Sequence, residues 1–297
     1  MKTFIFSLLF LVSSSAWAQV SVFACEPEWA SLTKELGGDN VSVFSATNGL
    51  QDPHYIQARP SLIAKARKTD LLVCTGAELE QGWLPLLQRK AGNSAIQIGA
   101  EGYFMATDYV RLAEQPITLD RSQGHIHAAG NPHIQTSPVM ILTVAKALSD
   151  RIKQRDPANA ESYEKRWQDF SQRWKAAMAE WQLKAASLKS IPIVVQHKNW
   201  FYLVHWLGLN QVAELEAKPG VPPTVKELQQ VVGKLEQTPA KMVLVAAYQS
   251  PRASDWLVDK TGIKKVVLPF TVGGNDKSDN LFSLFDNTIT LLLDGAK

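Results

Sequence analysis

Residues 41–92 read VSVFSATNGLQDPHYIQARPSLIAKARKTDLLVCTGAELEQGWLPLLQRKAG and contain two strand-like runs, each followed by a helix-like segment. The runs VSVFSAT and DLLVCTG are apolar and bounded by polar turns, which is typical of strands. The segment PSLIAKARKT begins with Pro60, a residue that favours the first turn of a helix. This alternation predicts an α/β lobe with a mainly parallel sheet. Such sheets bind ligands at the carboxyl ends of their strands, and His54 follows the first of these strands.

The alternation extends to both sides of this stretch and restarts later in the chain. We predict a strand at VSVFA (20–24), a helix at PEWASLTKELGG, a helix at AELEQGWLPLLQRKAG and a strand at IQIGA (96–100). In the second half we predict strands at IPIVVQH, QVAELEA, KMVLVAAY and KKVVLPF, with helices between them and a final helix at NLFSLFDNTITLLLDGA. The chain therefore has a second α/β lobe.

A long amphipathic segment separates the two lobes. Its apolar positions recur at intervals of three and four residues: Tyr163, Trp167, Phe170, Trp174, Met178 and Trp181. We predict one helix over residues 157–187, about 45 Å long at ~1.5 Å per residue. The resulting organisation is a signal peptide at 1–18, an N-terminal lobe at 19–156, the linking helix at 157–187 and a C-terminal lobe at 188–297.

The first residues, MKTFIFSLLFLVSSSAWAQ, have the pattern of a secretory signal peptide. Lys2 is followed by an apolar run from Phe4 to Val12 that is too short for a mature membrane span, and Ala16-Trp17-Ala18 is a small-x-small cleavage signal. We expect cleavage after Ala18 and a periplasmic location; a single membrane anchor is the alternative. The net charge of +3, without a basic tract, argues against a nucleic-acid partner.

Cys25 and Cys74 are the two cysteines of the chain, and both lie in strand-like runs. In an exported protein an even pair indicates one disulfide, provided that the two strands are neighbours in the sheet. A free buried pair is the alternative. A Cys-Cys metal site is disfavoured because the chain has no short CxxC spacing.

Three histidines, His54, His133 and His197, lie far apart in the sequence, and the acidic Asp279 follows at a similar interval. Three imidazoles and a carboxylate form a closed shell suited to Zn²⁺. The arrangement X-Pro-His occurs at both His54 and His133, and proline stiffens the loop before each ring. The competing interpretations are a turn histidine at 54, helix-capping roles at 197 and 279, and Asp276 as the acidic ligand.

His125 and His127 form the short motif GHIH in a segment without regular periodicity. Two histidines at i and i+2 could capture a metal loosely before delivery. The alternative is a solvated loop without a role.

These motifs together resemble the periplasmic solute-binding proteins of zinc and manganese ABC importers, the cluster A-I family, in its zinc type. The resemblance covers nearly the whole mature chain and rests on DPHYIQARPSLIAKARKTDLLVCTGAELEQGWLPLL, GNPHIQTSPVMILTVAKALSDRI, VVQHKNWFYLVHWLGL and DNLFSLFDNTI. It implies two α/β lobes joined by a long helix, with metal bound between them by His54, His133, His197 and Asp279. The chain departs from the family pattern at Asn131, where an acidic residue is usual, at Ile134-Gln135, and in the shortened histidine loop.

The resemblance implies a receptor that carries Zn²⁺ to a membrane permease of an ABC importer, acts as a monomer, and has a periplasmic metallochaperone as a candidate second partner. Manganese-type members tend to have a carboxylate at the position of His197, so the histidine favours zinc. A manganese receptor, a zinc hydrolase and a structural zinc protein are the alternatives. The chain lacks HExxH, and Asp279 would fill the coordination position that a hydrolase leaves open. It also lacks the ATP-binding GxxxxGK[ST] motif.

Overall fold

A computed structural model describes residues 19–116 and 127–297. The predicted signal peptide and His125 lie outside these residues. The N-terminal lobe contains β1 (Val20–Ala24), α1 (Pro27–Gly37), β2 (Val41–Ser45), α2 (Pro60–Ala66), β3 (Leu71–Cys74), α3 (Leu84–Ala91), β4 (Tyr103–Met105) and α4 (Pro138–Arg155). The long helix α5 spans Ala160–Lys184. The C-terminal lobe contains β5 (Pro192–Val195), α6 (Phe201–Leu207), β6 (Asn210–Glu214), α7 (Val225–Gln237), β7 (Met242–Ala246), α8 (Arg252–Thr261), β8 (Lys264–Leu268) and α9 (Leu281–Ala296).

Each lobe is built on a four-stranded parallel sheet, as the sequence pattern predicts. The strand orders are β2-β1-β3-β4 and β6-β5-β7-β8, so each sheet has the same topology. In both sheets the second strand in the sequence pairs with one side of the first strand, and the third strand pairs with its other side. This reversal of the strand order creates a switch point, where the loops after neighbouring strands diverge. His54 follows β2 and His197 follows β5, both at carboxyl ends of strands.

The predicted disulfide joins Cys25, which follows β1, to Cys74 at the end of β3. Those two strands are direct neighbours, with Ala24 opposite Val73. The bond therefore ties two loops together at the end of the sheet that carries the histidines.

Helix α5 packs against both lobes. It contacts α1 and α4 on the N-terminal side and α9 on the C-terminal side. Trp174 donates its indole N–H to the carbonyl of Pro138 (2.8 Å), and Trp181 donates to Asp286 Oδ1 (2.7 Å). Its 25 residues correspond to about 37 Å. The predicted range of 157–187 covers this helix, the short 3₁₀ turn Pro157–Asn159 before it, and all but the last residue of the 3₁₀ turn Ala186–Leu188 after it.

Two local predictions are wrong. The stretch IQIGA is not a strand: a 3₁₀ turn covers Ser94–Ile96, Ile98 is 81% exposed, and the fourth strand is β4, which pairs with β3. The helix predicted from residue 77 starts only at Leu84. Residues 76–78 instead form a left-handed turn, with φ of 87°, 47° and 67°, which a right-handed helix does not contain.

Candidate metal centre

His54 is fixed by its own loop. Asp52 Oδ1 accepts hydrogen bonds from both the backbone N–H (3.0 Å) and the ring Nδ1–H (2.7 Å) of His54. Burial opposes ionisation of Asp52, but the hydrogen bonds and charge of His54 outweigh it and hold the pKa of this carboxyl below its usual value. Trp83 anchors the loop by donating its indole N–H to the carbonyl of Pro53 (3.0 Å). Because Nδ1 carries the proton, Nε2 is the nitrogen available to a metal.

His133 lies in the turn that precedes α4 and is 2% exposed. Its backbone N–H donates to Asn131 Oδ1 (3.0 Å), so Asn131 repeats the main-chain contact that Asp52 makes with His54. Both X-Pro-His motifs thus share a hydrogen bond from the histidine backbone to the side chain two residues before it. The edge of the His133 ring meets Phe270, with ring centroids 5.4 Å apart.

His197 follows β5 and is 6% exposed. Its Nδ1 lies 2.7 Å from Glu216 Oε2, and Glu216 also accepts from the backbone N–H of Gly220 (2.8 Å). A carboxylate can only accept here, so Nδ1 carries the proton and Nε2 is again the nitrogen available to a metal.

His127 is the fourth imidazole of the group. Its Nδ1–H donates to the carbonyl of Ala77 (3.0 Å), and its Nε2 lies 3.3 Å from His54 Nε2. Since the Nδ1 atoms of both rings are donors, the two rings face each other through their Nε2 atoms. Two lone-pair nitrogens at this distance require a shared cation or proton.

The four rings gather between the lobes. The centroid of His133 is 5.6 Å from that of His54, 6.2 Å from that of His127 and 6.1 Å from that of His197. Ligand nitrogens of His54, His127 and His133 all lie within 4.8 Å of one another. His197 borders this trio on the C-terminal lobe. The structure therefore brings together the three predicted histidines and one that sequence analysis assigned only to loose capture.

Asp279 lies outside the group of ligand atoms that come within 4.8 Å of one another. It is exposed and accepts from Ser283 Oγ (2.7 Å) and Asn280 Nδ2 (2.9 Å) at the start of α9. Asn280 and Ser283 form a capping box with each other's backbone, so this carboxylate belongs to the helix terminus. The loop that follows β8 presents Phe270 to His133 instead.

Two cavities lie on either side of the histidines. One, of about 470 Å³, is lined by His54, His197, Glu216 and Tyr248, and the other, of about 310 Å³, by His127, His133 and His197. Both are far larger than a bare cation. They give a hydrated ion a path to the imidazoles.

The donor set is nitrogen-rich. In tetrahedral Zn²⁺ sites with Zn–N bonds of ~2.0–2.1 Å, ligand nitrogens lie roughly 3.3 Å apart. The spacing between His54 Nε2 and His127 Nε2 equals that edge. Asp52 and Glu216 supply two negative charges next to the ring nitrogens that do not ligate, which offsets the charge of a divalent ion and strengthens the imidazoles as ligands.

Sequence reasoning missed Asp52, Glu216 and the position of His127. Asp52 had a signal, because an aspartate two residues before a histidine can bond both to its backbone and to its ring. No sequence signal pointed to Glu216, because it follows β6 whereas its partner His197 follows β5. The position of His127 depends on the carbonyl of Ala77 in a turn that no local pattern predicts.

Two parallel-sheet lobes, a long helix packed on both, and imidazoles gathered between them define a metal-binding substrate-binding protein of ABC importers. The chain belongs to the ZnuA family, described as the periplasmic component A of the zinc-uptake complex, whose sequence profile matches residues 22–295. This family consists of extracytoplasmic binding components of transporters, so the prediction of a receptor rather than a zinc hydrolase is confirmed. Within residues 19–116 and 127–297, no helix combines the length and apolarity needed to cross a membrane.

The chain is similar to the high-affinity zinc uptake system protein ZnuA of Bacillus subtilis, with 24% identity over 238 residues, 80% of this chain and 73% of that protein. It is 25% identical over 243 residues to the manganese ABC transporter substrate-binding lipoprotein PsaA of Streptococcus pneumoniae, 78% of this chain and 74% of that one. It matches the zinc-binding protein AdcA of Streptococcus pyogenes with 22% identity over 82% of this chain, but spans only 49% of AdcA.

Solved structures share the fold. A crystal structure of ZnuA superposes with a TM-score of 0.76 at 20% identity, covering 94% of this chain and 100% of that one. A manganese-bound periplasmic metal-binding protein from Candidatus Liberibacter asiaticus gives the same TM-score at 14% identity and the same coverage. These likenesses confirm the predicted architecture.

Proposed function

We propose that this protein captures Zn²⁺ between its lobes with His54, His127, His133 and His197 and delivers it to the membrane permease of an ABC importer. The observation that carries the proposal is the 3.3 Å separation of His54 Nε2 and His127 Nε2, with both Nδ1 atoms engaged elsewhere. A tetrahedral zinc ion relieves the repulsion of these lone pairs and uses both.

The ligand chemistry supports zinc over manganese. Manganese prefers oxygen-rich shells, whereas four imidazoles suit zinc. The carboxylates at the site, Asp52 and Glu216, are bound to ring Nδ1 atoms and act on the histidines. His127 takes the fourth ligand position that the sequence assigned to Asp279.

Capture begins when a hydrated ion enters through the cavities beside the rings. The imidazoles replace its waters, and ligands from both lobes then hold it. Since α5 packs against both lobes, we expect closure by local loop movement rather than wide rotation of the domains. Once loaded, the protein docks to the permease and releases the ion.

Three finer statements are part of the proposal. The mature chain begins at Gln19 in the periplasm, acts as a monomer, and takes zinc either as the free ion or from a periplasmic metallochaperone. N-terminal sequencing of the exported protein and light scattering of the purified protein test the first two. Zinc transfer from a loaded donor protein, compared with transfer through free solution, tests the third.

The central experiment measures metal content after purification without added metal, followed by competitive titration with zinc and manganese. His54→Ala, His127→Ala, His133→Ala and His197→Ala should each weaken zinc binding by orders of magnitude while helical content is unchanged. Asp279→Ala should bind zinc like the parent. His205→Ala is the matched control because His205 is an exposed histidine on α6, stacked on Phe201. Full zinc affinity in His127→Ala together with a loss in Asp279→Ala would restore Asp279 as the fourth ligand.

A further inference from the structure

Three carboxyl groups are buried in the N-terminal lobe beside the disulfide and are not used by the metal centre described above. Glu26, Glu28 and Glu80 are each at most 2% exposed. Glu26 and Glu28 lie at the start of α1, and Glu80 lies between β3 and α3. Burial of carboxyl groups is costly unless they form specific hydrogen bonds, so their contacts indicate what they do.

The carboxylate of Glu80 holds the backbone of the turn that follows β3. Its Oε1 accepts from the N–H of Thr75 (2.7 Å), and its Oε2 accepts from the N–H of Gly76 (3.1 Å). Immediately after these residues, Ala77 and Glu78 have φ of 47° and 67°. Residues other than glycine rarely adopt this left-handed conformation, and it persists only where the surroundings impose it. The bonds from Glu80 are such a constraint.

This left-handed turn, residues 76–78, accepts hydrogen bonds from His127 and from the residue after it. The carbonyl of Ala77 accepts from His127 Nδ1 (3.0 Å), and Glu78 Oε2 accepts from the backbone N–H of Ala128 (2.8 Å). Both bonds hold the segment that carries His127. The first also fixes the tautomer that leaves Nε2 directed at His54.

Glu26 binds the side chain of Thr75, the residue whose backbone N–H donates to Glu80. Thr75 Oγ1 donates to Glu26 Oε2 (3.1 Å) and accepts from the indole N–H of Trp29 (2.8 Å). Burial raises the pKa of both carboxyl groups: that of Glu26 rises well above its usual value, and that of Glu80 rises to about 7, with the backbone donors at Thr75 and Gly76 opposing the rise. The backbone N–H groups donate to Glu80 and not to Glu26, so Glu80 is the group of the pair that holds the turn.

We propose that Glu80 is a positioning residue for zinc capture, which acts through the left-handed turn to hold His127 in its ligating position. This inference rests on the proposed function, because it requires His127 to be a ligand. It assigns Glu80, the second of the two glutamates in the sequence GAELE (76–80), a role in metal binding that is transmitted through the left-handed turn to His127.

The test is Glu80→Gln, with Glu236→Gln, on the exposed face of α7, as the matched control. The amide of glutamine presents an N–H to at least one of the two backbone donors, so the turn loses a bond. We expect Glu80→Gln to weaken zinc binding about 10-fold, the lower end of the ~10–100-fold range for outer-shell partners of metal ligands. Glu236→Gln should bind zinc like the parent.

A double-mutant cycle with His127→Ala identifies the route of the effect. If Glu80 acts through His127, Glu80→Gln/His127→Ala binds zinc as His127→Ala does, because the two effects do not add. The proposal is overturned if Glu80→Gln weakens zinc binding equally in the parent and in His127→Ala, or if it does not weaken zinc binding in the parent. If His127→Ala alone binds zinc like the parent, the ligand set of the proposed function has failed, and this outcome is distinct from the other two.

Two further measurements separate positioning from general stability. The ring of ¹⁵N-labelled His127 should show the Nδ1–H tautomer in the metal-free parent and a tautomer mixture in Glu80→Gln; an unchanged spectrum contradicts the proposal. Ala77→Val disturbs the same turn without touching a buried carboxyl, since a β-branched residue disfavours positive φ. It should reproduce the zinc loss and the lack of additivity even if Glu80→Gln does not fold.

Discussion

Thr271, in the loop after β8, donates its hydroxyl to the buried carboxylate of Glu28 on α1, so that one hydrogen bond joins the two lobes beside the metal centre. Burial raises the pKa of Glu28 to about 7, although the bond from Thr271 opposes the rise. In the unfolded chain this group titrates near ~4.3. Between these values the folded state binds more protons than the unfolded state, so the contribution of Glu28 to stability is present at low pH and falls as pH rises through 7.

Glu28→Gln should therefore change the pH dependence of unfolding. The amide cannot ionise, so the variant should gain free energy of unfolding relative to the parent, by about 1–3 kcal/mol, when pH is raised from 5 to 8. Denaturant unfolding of both metal-free proteins at the two pH values measures this difference. Parallel pH profiles for the two proteins would contradict a raised pKa at Glu28.

Zinc affinity should decrease as pH falls from 8 to 5. Protonated imidazole cannot ligate a metal, so binding competes with protons at every histidine of the site. The pKa of Asp52 lies below its usual value, so this carboxylate stays ionised over the window and the decrease reports the imidazoles. Competition with a chelator of known pH dependence measures the effect. An affinity that is flat from pH 8 to 5 would argue against imidazole ligation.

The carboxylates behind the rings should contribute to affinity without contacting the ion. Asp52→Asn and Glu216→Gln remove the charged acceptors from His54 Nδ1 and His197 Nδ1. Each should weaken zinc binding by about 10–100-fold. Asp276→Asn, on an exposed residue of the loop before α9, is the control and should have no effect. Isothermal titration of zinc in competition with a chelator checks all three variants.

The sequence predicted what depends on local pattern. Both parallel sheets follow from the alternation of strands and helices, and the amphipathic spacing on α5 predicted the helix that joins the lobes. His54 and His197 could be placed because carboxyl ends of parallel strands share one edge. The disulfide followed from the two cysteines once β1 and β3 were neighbours.

What the sequence did not predict depends on contacts between distant segments. His127 donates to the carbonyl of Ala77, fifty residues earlier in the chain, in a turn that has positive φ values and follows two backbone N–H groups bound by the buried Glu80. Asp279 had two compatible local roles, and its contacts with Asn280 and Ser283 show that the helix terminus holds it. Ile98 in IQIGA is apolar but exposed, so hydrophobicity alone misplaced the fourth strand.

The contact between the two lobes at Gly49 should be sensitive to a single methyl group. A Cβ built on Gly49, in the loop that carries His54, would lie 2.3 Å from the backbone of Gly273 and Gly274 in the C-terminal lobe. Backbone cannot yield as a side chain can, so Gly49→Ala should separate these loops, open the cleft and weaken zinc binding. Small-angle scattering and zinc titration measure the two effects.

Gly233 provides the opposite case for the same substitution. It lies within α7, and a Cβ there would meet no atom within 4 Å. Alanine is the better helix former, so Gly233→Ala should raise the free energy of unfolding by about 0.5–1 kcal/mol and leave zinc affinity unchanged. Chemical denaturation of both variants tests the pair. If Gly49→Ala binds zinc like Gly233→Ala, contact between the loops at Gly49 and Gly273 is not needed for the ligands of the two lobes to meet at the ion.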